Sequence, residues 1–363
     1  MSIKQPSPGA DTAPPSKPPR APELVVEKPK TDVRDWIVKY GFIVLTVFFF
    51  VLFLVTLPSF RMSSTMFSML KFTSVVAIAG LGITFTMVVG GLDLSVGATA
   101  GMAVTVAAMT MVIYAQTGPI AVLAVLGAGA AIGAFNALLI VTLKIPDLLA
   151  TLATMFLIQG LKLIPVDGQS VSSGLILRDG SVAPGKFTEG FIEINKGSLG
   201  PIPYPVLMWA VLAIATWFFL SRTKWGRIMY AVGTNPEAAR LAGARVGRYK
   251  AVAYIISGVF ASIAGLILAS RIRQGDISAG NSLLLDAVAV ALVGYSVLGA
   301  NKPNALGTTL GALLIGILLT GTTMMNFPYY WQDVVKGLVL VVALIFSFTL
   351  SRRKQRHVAA VPM

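Results

Sequence analysis

The sequence contains no cysteine and a single histidine in 363 residues. The first absence excludes disulfides, thiolate metal sites and thiol chemistry. The second leaves only His357, in a basic terminal stretch, so no catalytic centre in the body of the chain can use imidazole. Charge is also scarce: Asp, Glu, Lys and Arg make up 12% of the residues against 55% hydrophobic. With a mean hydropathy of +0.79, this balance excludes an ordinary soluble domain and describes a polytopic membrane protein. Acids are outnumbered by bases, 15 to 29, for a net charge of +14. The bases gather near the N-terminus, between residues 222 and 250, and near the C-terminus. Orientation in a membrane explains that distribution better than nucleic-acid binding does, and no nucleic-acid partner is expected.

Residues 1–35 are rich in proline and charge, carry no apolar core and are expected to be a disordered cytoplasmic tail. No short apolar region with a small-residue cleavage site follows the basic start, so a signal peptide is not expected. Helices rise 1.5 Å per residue, and a run of about twenty apolar residues crosses a hydrocarbon layer of roughly 30 Å. Such runs occur near 36–57, 66–89, 94–115, 119–143, 146–164, 205–220, 250–269, 283–298, 304–326 and 330–350. The expected fold class is therefore all-α, with about ten transmembrane helices in a domain spanning 36–350, lipid around it, and a basic cytoplasmic tail at 351–363. An even number of crossings puts both termini and the loop 222–250 on the cytoplasmic side, where the basic residues belong. It places 165–203 outside as a mixed-charge lid or docking surface. Within that segment Gly180, Gly185 and Lys186 imitate a phosphate-loop spacing, but Phe187 stands where a hydroxyl must reach magnesium, which argues against nucleotide binding.

The loop 222–250 carries seven basic residues and one acid, Glu237. Within it Asn235 is placed to cap a helix that opens on Pro236, where a missing N–H costs nothing, and Gly243 supplies a left-handed stop. The spacing predicts an isolated short helix over 236–242. Such a helix can bury its apolar side only against a neighbouring loop or another protein, which makes it a handle for a partner.

Two stretches interrupt the apolar runs. At Gly90, Gly91, Leu92, Asp93, Leu94, Ser95, Val96 and Gly97, glycines and a carboxylate fall where hydrocarbon is expected. An unpaired carboxylate there is expensive, so Asp93 must face protein or water. Either the glycines break a helix that lines a path, or Asp93 caps a helix end without touching cargo. A similar break at 299–304, ending in Asn304, precedes Gly307 and suggests an internal repeat. The pairs Gly97/Gly101, Gly129/Gly133 and Gly307/Gly311 allow close helix packing. Of the remaining charges, Lys71, Lys144, Asp147, Lys162, Asp333 and Lys336, most fall near expected helix ends, where long side chains snorkel or carboxylates cap helices. Asp286 opens a helix after an outward-facing loop and is either a cap or part of an external gate. No chain of buried Asp, Glu or His suited to carrying protons is visible.

These residues carry a resemblance. GGLDLSVGATAGM from Gly90, GPIPYPV from Gly200 and RTKWGRIMYAVGTNPEAARLAGARVGRYK from Arg222 resemble, in order, the permease subunits of bacterial monosaccharide ABC importers, the ribose, xylose and arabinose group. The likeness runs from about residue 40 to about residue 348. It departs from the family pattern at Gln159, where an arginine is usual, and at Tyr295 and 300–303, where a Gly-rich turn is usual.

The resemblance implies a multi-pass inner-membrane subunit without catalytic activity of its own. It implies that ATP and magnesium sit on a separate cytoplasmic ATP-binding subunit, that a periplasmic binding protein delivers the cargo, and that a second permease copy or paralogue completes the pair. Asn235, Pro236, Glu237, Ala238, Ala239, Arg240 and Gly243 then form the coupling helix and its stop, seated on the ATPase. The candidate path residues are Gly90, Gly91, Asp93, Ser95, Gly97, Asp286 and Asn304. No cofactor or metal is expected on this chain. Rival readings are import of another small solute, such as a branched-chain amino acid, a nucleoside or a signalling furanose, and an ion-coupled transporter working alone. The coupling loop discriminates the second, because a lone transporter does not need it.

Overall fold

The structure is a computed structural model that describes residues 33–296, 302–328 and 330–359, with side chains for 40–295, 302–328 and 330–345. The expected tail at 1–35 lies almost wholly outside the described residues, as does the start of the second break, 299–301. Three helices open the chain: α1 (Val33–Thr56), α2 (Ser63–Val88) and α3 (Val96–Ala108), the last prolonged by a wide π turn over Met109–Ile113. After α4 (Gly118–Ala137), with its own π turn at Leu138–Thr142, come α5 (Asp147–Leu161) and the short amphipathic α6 (Glu189–Lys196). A two-residue hairpin of β1 (Ser198–Leu199) and β2 (Ile202–Pro203) leads to α7 (Tyr204–Arg222). The rest is α8 (Lys224–Thr234), α9 (Pro236–Leu241), α10 (Val246–Ile272), α11 (Leu283–Ser296), α12 (Ala305–Met324) and α13 (Tyr330–Ala359). The hairpin is a small departure from an all-α chain.

Seven of the described helices are long and apolar enough to cross a membrane, and two shorter apolar stretches, Tyr40–Thr56 and Leu283–Tyr295, accompany them. A helix that is apolar all round is either buried in protein or faces lipid, and both occur. The core is built on α2, whose residues 73–86 are buried without a break, between α10, α11 and α12. By contrast α5 and α7 turn Leu149, Phe156, Val211 and Ile214 outward as a lipid-facing surface.

Small residues set the closest approaches. Gly129 and Gly133 of α4 lie against Gly258 and the Tyr254 backbone of α10, and Gly307 of α12 lies against Gly294 of α11. These GxxxG pairs therefore pack helices within the chain.

The phosphate-loop imitation is an ordinary turn. Gly185 is pressed on the backbone of Met111 and Val112, and Phe187 is buried beside Phe191, with ring centroids 5.9 Å apart.

Candidate functional site

Two non-helical segments enter the bundle from opposite ends and meet beside α3. The first is the break at residues 89–95, which enters from the end that carries the basic loop. Gly90 takes φ +83°, a left-handed turn that a side chain would strain, and the chain then climbs to Ser95. Asp93 is 1% exposed. Its Oδ1 accepts the Ser95 amide at 2.9 Å and the Ser95 hydroxyl at 2.6 Å, while Oδ2 accepts the Ser257 hydroxyl of α10 at 2.8 Å. Ser257 lies eleven residues into α10, so the carboxylate sits about 16 Å along that helix, at membrane depth. The Ser95 hydroxyl also accepts the Asn136 amide at 2.8 Å, joining α4 to the network. One link lower, Thr151 of α5 donates to the Leu92 carbonyl at 3.2 Å, and Asp147 accepts the Tyr254 hydroxyl at 2.9 Å and pairs with Lys250 at 3.6 Å. Gly91 faces that last pair so closely that a methyl group would overlap both Asp147 and Tyr254. A buried carboxylate persists only when hydrogen-bonded throughout, and this one is.

The second segment, residues 273–282, leaves the far end of α10 and runs back down α3. Gly275 lies against Ala108, Ala279 against Gly101, and Gly280 with Leu284 against Gly97. From Ala108 to Gly97 is eleven helical residues, a descent of about 16 Å. Its polar side chains Ser278, Asn281 and Ser282 are exposed. Irregular backbone at membrane depth persists only where protein buries it or water meets it.

The segment delivers α11 with Asp286 in its first turn. Asp286 is 2% exposed, and its Oδ1 lies 3.1 Å from Lys336 Nζ of α13, which is itself 9% exposed. Lys336 and Lys162 are corrections to the expectation of snorkelling ends, since both are buried, Lys162 at 3% exposure beside Gly101. Asn304 caps α12 by accepting the Gly307 amide at 2.7 Å and donates to the Gly294 carbonyl of α11 at 2.9 Å.

The basic loop lies under both breaks. The expected helix is present as α9, one residue shorter than the spacing predicts because Ala242 is its cap. Asn235 accepts the Ala238 amide at 3.0 Å, Glu237 and Arg240 approach to 3.7 Å, and Gly243 takes φ +85°. Ala239 is buried, whereas Leu241, which the sequence does not single out, is 84% exposed. The loop is not otherwise irregular. Its first half is α8, capped by Thr223 and held by buried Met229 and Val232, each worth roughly 1.5–3 kcal/mol of apolar burial. Gly233 of α8 presses on Val88 and Gly90, and Tyr230 donates to the Pro303 carbonyl at 2.6 Å. Lys302 lies over the Tyr230 ring at 5.0 Å. Burial pushes the Tyr230 hydroxyl up to about 12. One helix thus touches the turns that precede α3 and α12.

A bundle of apolar helices with interrupted backbone meeting at its middle defines a membrane transport protein with discontinuous helices. Residues 65–344 match the family model described as branched-chain amino acid transport system / permease component, and the chain belongs to that family. The ribose import permease protein RbsC of Escherichia coli K12 is 33% identical over 293 residues, covering 79% of this chain and 87% of that protein. The Bacillus subtilis ribose import permease is 32% identical over 291 residues, with 80% and 86% covered. The xylose transport system permease protein XylH of Escherichia coli K12 is 30% identical over 336 residues, with 79% and 85% covered. No solved structure matches the chain.

Proposed function

We propose that this chain is the membrane-spanning subunit of an ATP-driven importer for a monosaccharide or related polyol. A binding protein on the outer side delivers the cargo, and a second permease, identical or paralogous, completes the path. ATP and magnesium belong to a separate ATPase on the cytoplasmic side, where both termini and the loop 222–250 lie. The observation that carries this reading is the arrangement of α8 and α9. The exposed Leu241 and Glu237 offer a docking face, while Gly233 and Tyr230 touch the turns before α3 and α12. Force applied to α9 would reach both breaks through one short helix. The sugar cargo is supported by the names of the ribose and xylose permeases among the relatives.

The test is gentle purification of the tagged chain from its own membrane, followed by reconstitution. A co-purifying ATPase, two permease chains per complex, and ATP-dependent uptake of labelled pentose support the proposal. The family description names branched-chain amino acids, so leucine is assayed alongside. Uptake of leucine in place of pentose would overturn the cargo, and transport by the chain alone without ATP would overturn the importer.

A further inference from the structure

Because α11 starts deep in the bundle, the space above its first turn is left open. A cavity of about 460 Å³ occupies that position, between the outer ends of α2, α10, α12 and α13. It falls within the 300–1,000 Å³ typical of small-molecule sites. Its walls are rich in hydrogen-bonding side chains: Ser64 and Ser68 from α2, Thr320 and Thr323 from α12, Gln332 from α13 and Arg271 from α10. Phe72 closes one side, with the Arg271 guanidinium 6.0 Å over its ring. Gln332 donates to Thr323 at 3.3 Å, which ties two walls together. One turn below Gln332 on the same helix, Lys336 reaches Asp286. The buried ion pair therefore lies beneath the cavity, at the start of the helix that replaces it.

We propose that this cavity is a binding site of the permease itself for a neutral polyol, the first station of cargo on its way past α11. The inference rests on the sugar-importer reading and deepens it. Hydroxyls and an amide that both donate and accept suit a ring of sugar hydroxyls, and Met69 and Leu319 in the lining suit the apolar side of that ring. Among the described residues the lining holds no carboxylate, so the ammonium group of an amino acid has no counter-charge from them. Arg271 is exposed at the rim and supplies donors without enclosing a charge. Specificity would then be shared between the delivering protein and this chain.

The absence of cysteine makes a direct test available. Ser68→Cys and Thr320→Cys are made singly, with Ser173→Cys in the outer segment as the control, and each variant is produced with its partner subunits in cells. Modification by a membrane-impermeant thiol reagent is timed with no solute, with millimolar D-ribose or D-xylose, and with millimolar L-leucine. The expected result is modification of both cavity cysteines from the outside, slowed at least threefold by one pentose, unaffected by leucine, with no protection of Ser173→Cys. Modification that no pentose slows, modification from the inside only, or no modification at all in variants that still import pentose would overturn the cavity assignment and leave the importer reading standing. Failure of the unmodified complex to import any monosaccharide or polyol with ATP would instead remove the sugar-importer reading, and this inference with it.

Discussion

Gly97 and Gly280 lie face to face, so that a methyl group on Gly97 would sit 2.8 Å from the Gly280 carbonyl oxygen and 2.9 Å from Leu284 Cβ. Gly97 stands in the first turn of α3, just after the first non-helical segment, Gly280 stands in the second, and neither neighbour can yield without moving the start of α11. Gly97→Ala is expected to cost the 1–3 kcal/mol typical of overpacking, about a five- to 150-fold fall in the folded-to-unfolded ratio. The expected readout is a lower apparent melting temperature in detergent together with lost uptake. Unchanged melting and unchanged uptake would show that the contact is looser than the backbone positions indicate.

The Asp286–Lys336 pair is nearly dry, at 2% and 9% exposure. Removing one partner of a buried pair strands a charge and typically costs about 3–5 kcal/mol, while replacing both with apolar groups of similar size is often neutral. Lys336→Met alone is therefore expected to abolish stable protein in the membrane. The double change Asp286→Leu with Lys336→Met should restore abundance. Size-exclusion profiles of the single and double variants check this, and a double variant no better than the single would sink the pairing.

What was legible in the sequence depended on distance along the chain. The Asn235 cap, Pro236 and the Gly243 stop are local, and the predicted helix differs from α9 by one residue. The buried ion pair joins residues fifty positions apart, and no local pattern at either one reveals the other. The segment 273–282 reads as a polar loop, because nothing in it shows that Gly275 and Gly280 will lie along α3. The signal for α8 was present and is not read: Trp225, Ile228, Met229 and Val232 recur at helical spacing, but the dense basic residues around them resemble an unstructured loop. Asp93 required protein or water around it on electrostatic grounds, and the structure supplies protein in the form of Ser95 and Ser257.

Those Asp93 contacts rank a set of substitutions. A hydrogen bond to a charged group contributes about 1.5–3 kcal/mol. Ser257→Ala removes one such bond to Asp93 and should lower the apparent melting temperature while some protein still accumulates. Asp93→Ala leaves the Ser95 and Ser257 donors without their acceptor and is expected to prevent accumulation altogether. Thermal stability read by size exclusion orders them, and an Asp93→Ala protein as stable as the unaltered chain would refute a structural role for the carboxylate.

Tyr230 bridges α8 to the turn before α12 through Pro303. Its hydroxyl pKa is raised from 10.0 to about 12, so folding favours the protonated donor. That contribution is complete below about pH 10 and is lost only as pH rises toward 12. Uptake across pH 6 to 9 should therefore show no titration from this residue. Tyr230→Phe should keep abundance and ATPase association but lower the ratio of solute moved to ATP hydrolysed, at every pH in that range. A Tyr230→Phe complex with unchanged coupling would remove α8 from the transmission route.

On the outer face of α9 a large aliphatic side chain, Leu241, stands 84% exposed in a loop otherwise dominated by bases. A single exposed leucine is ordinary on a protein surface; what gives this one a role is its place on α9, the short helix proposed to meet the ATPase. Leu241 is therefore the anchor of the proposed ATPase contact, with Glu237 and Arg240, 3.7 Å apart, at its edge. Neither Leu241 nor Glu237 supports the fold, so Leu241→Asp and Glu237→Arg should leave membrane abundance and melting unaltered. Both should reduce ATPase recovery in a pull-down, Leu241→Asp by tenfold or more because truncating a central anchor commonly costs 2 kcal/mol or above. Normal ATPase recovery with both variants would mean that α9 docks nothing, and Pro236 to Gly243 would then be only a capped turn beneath α10.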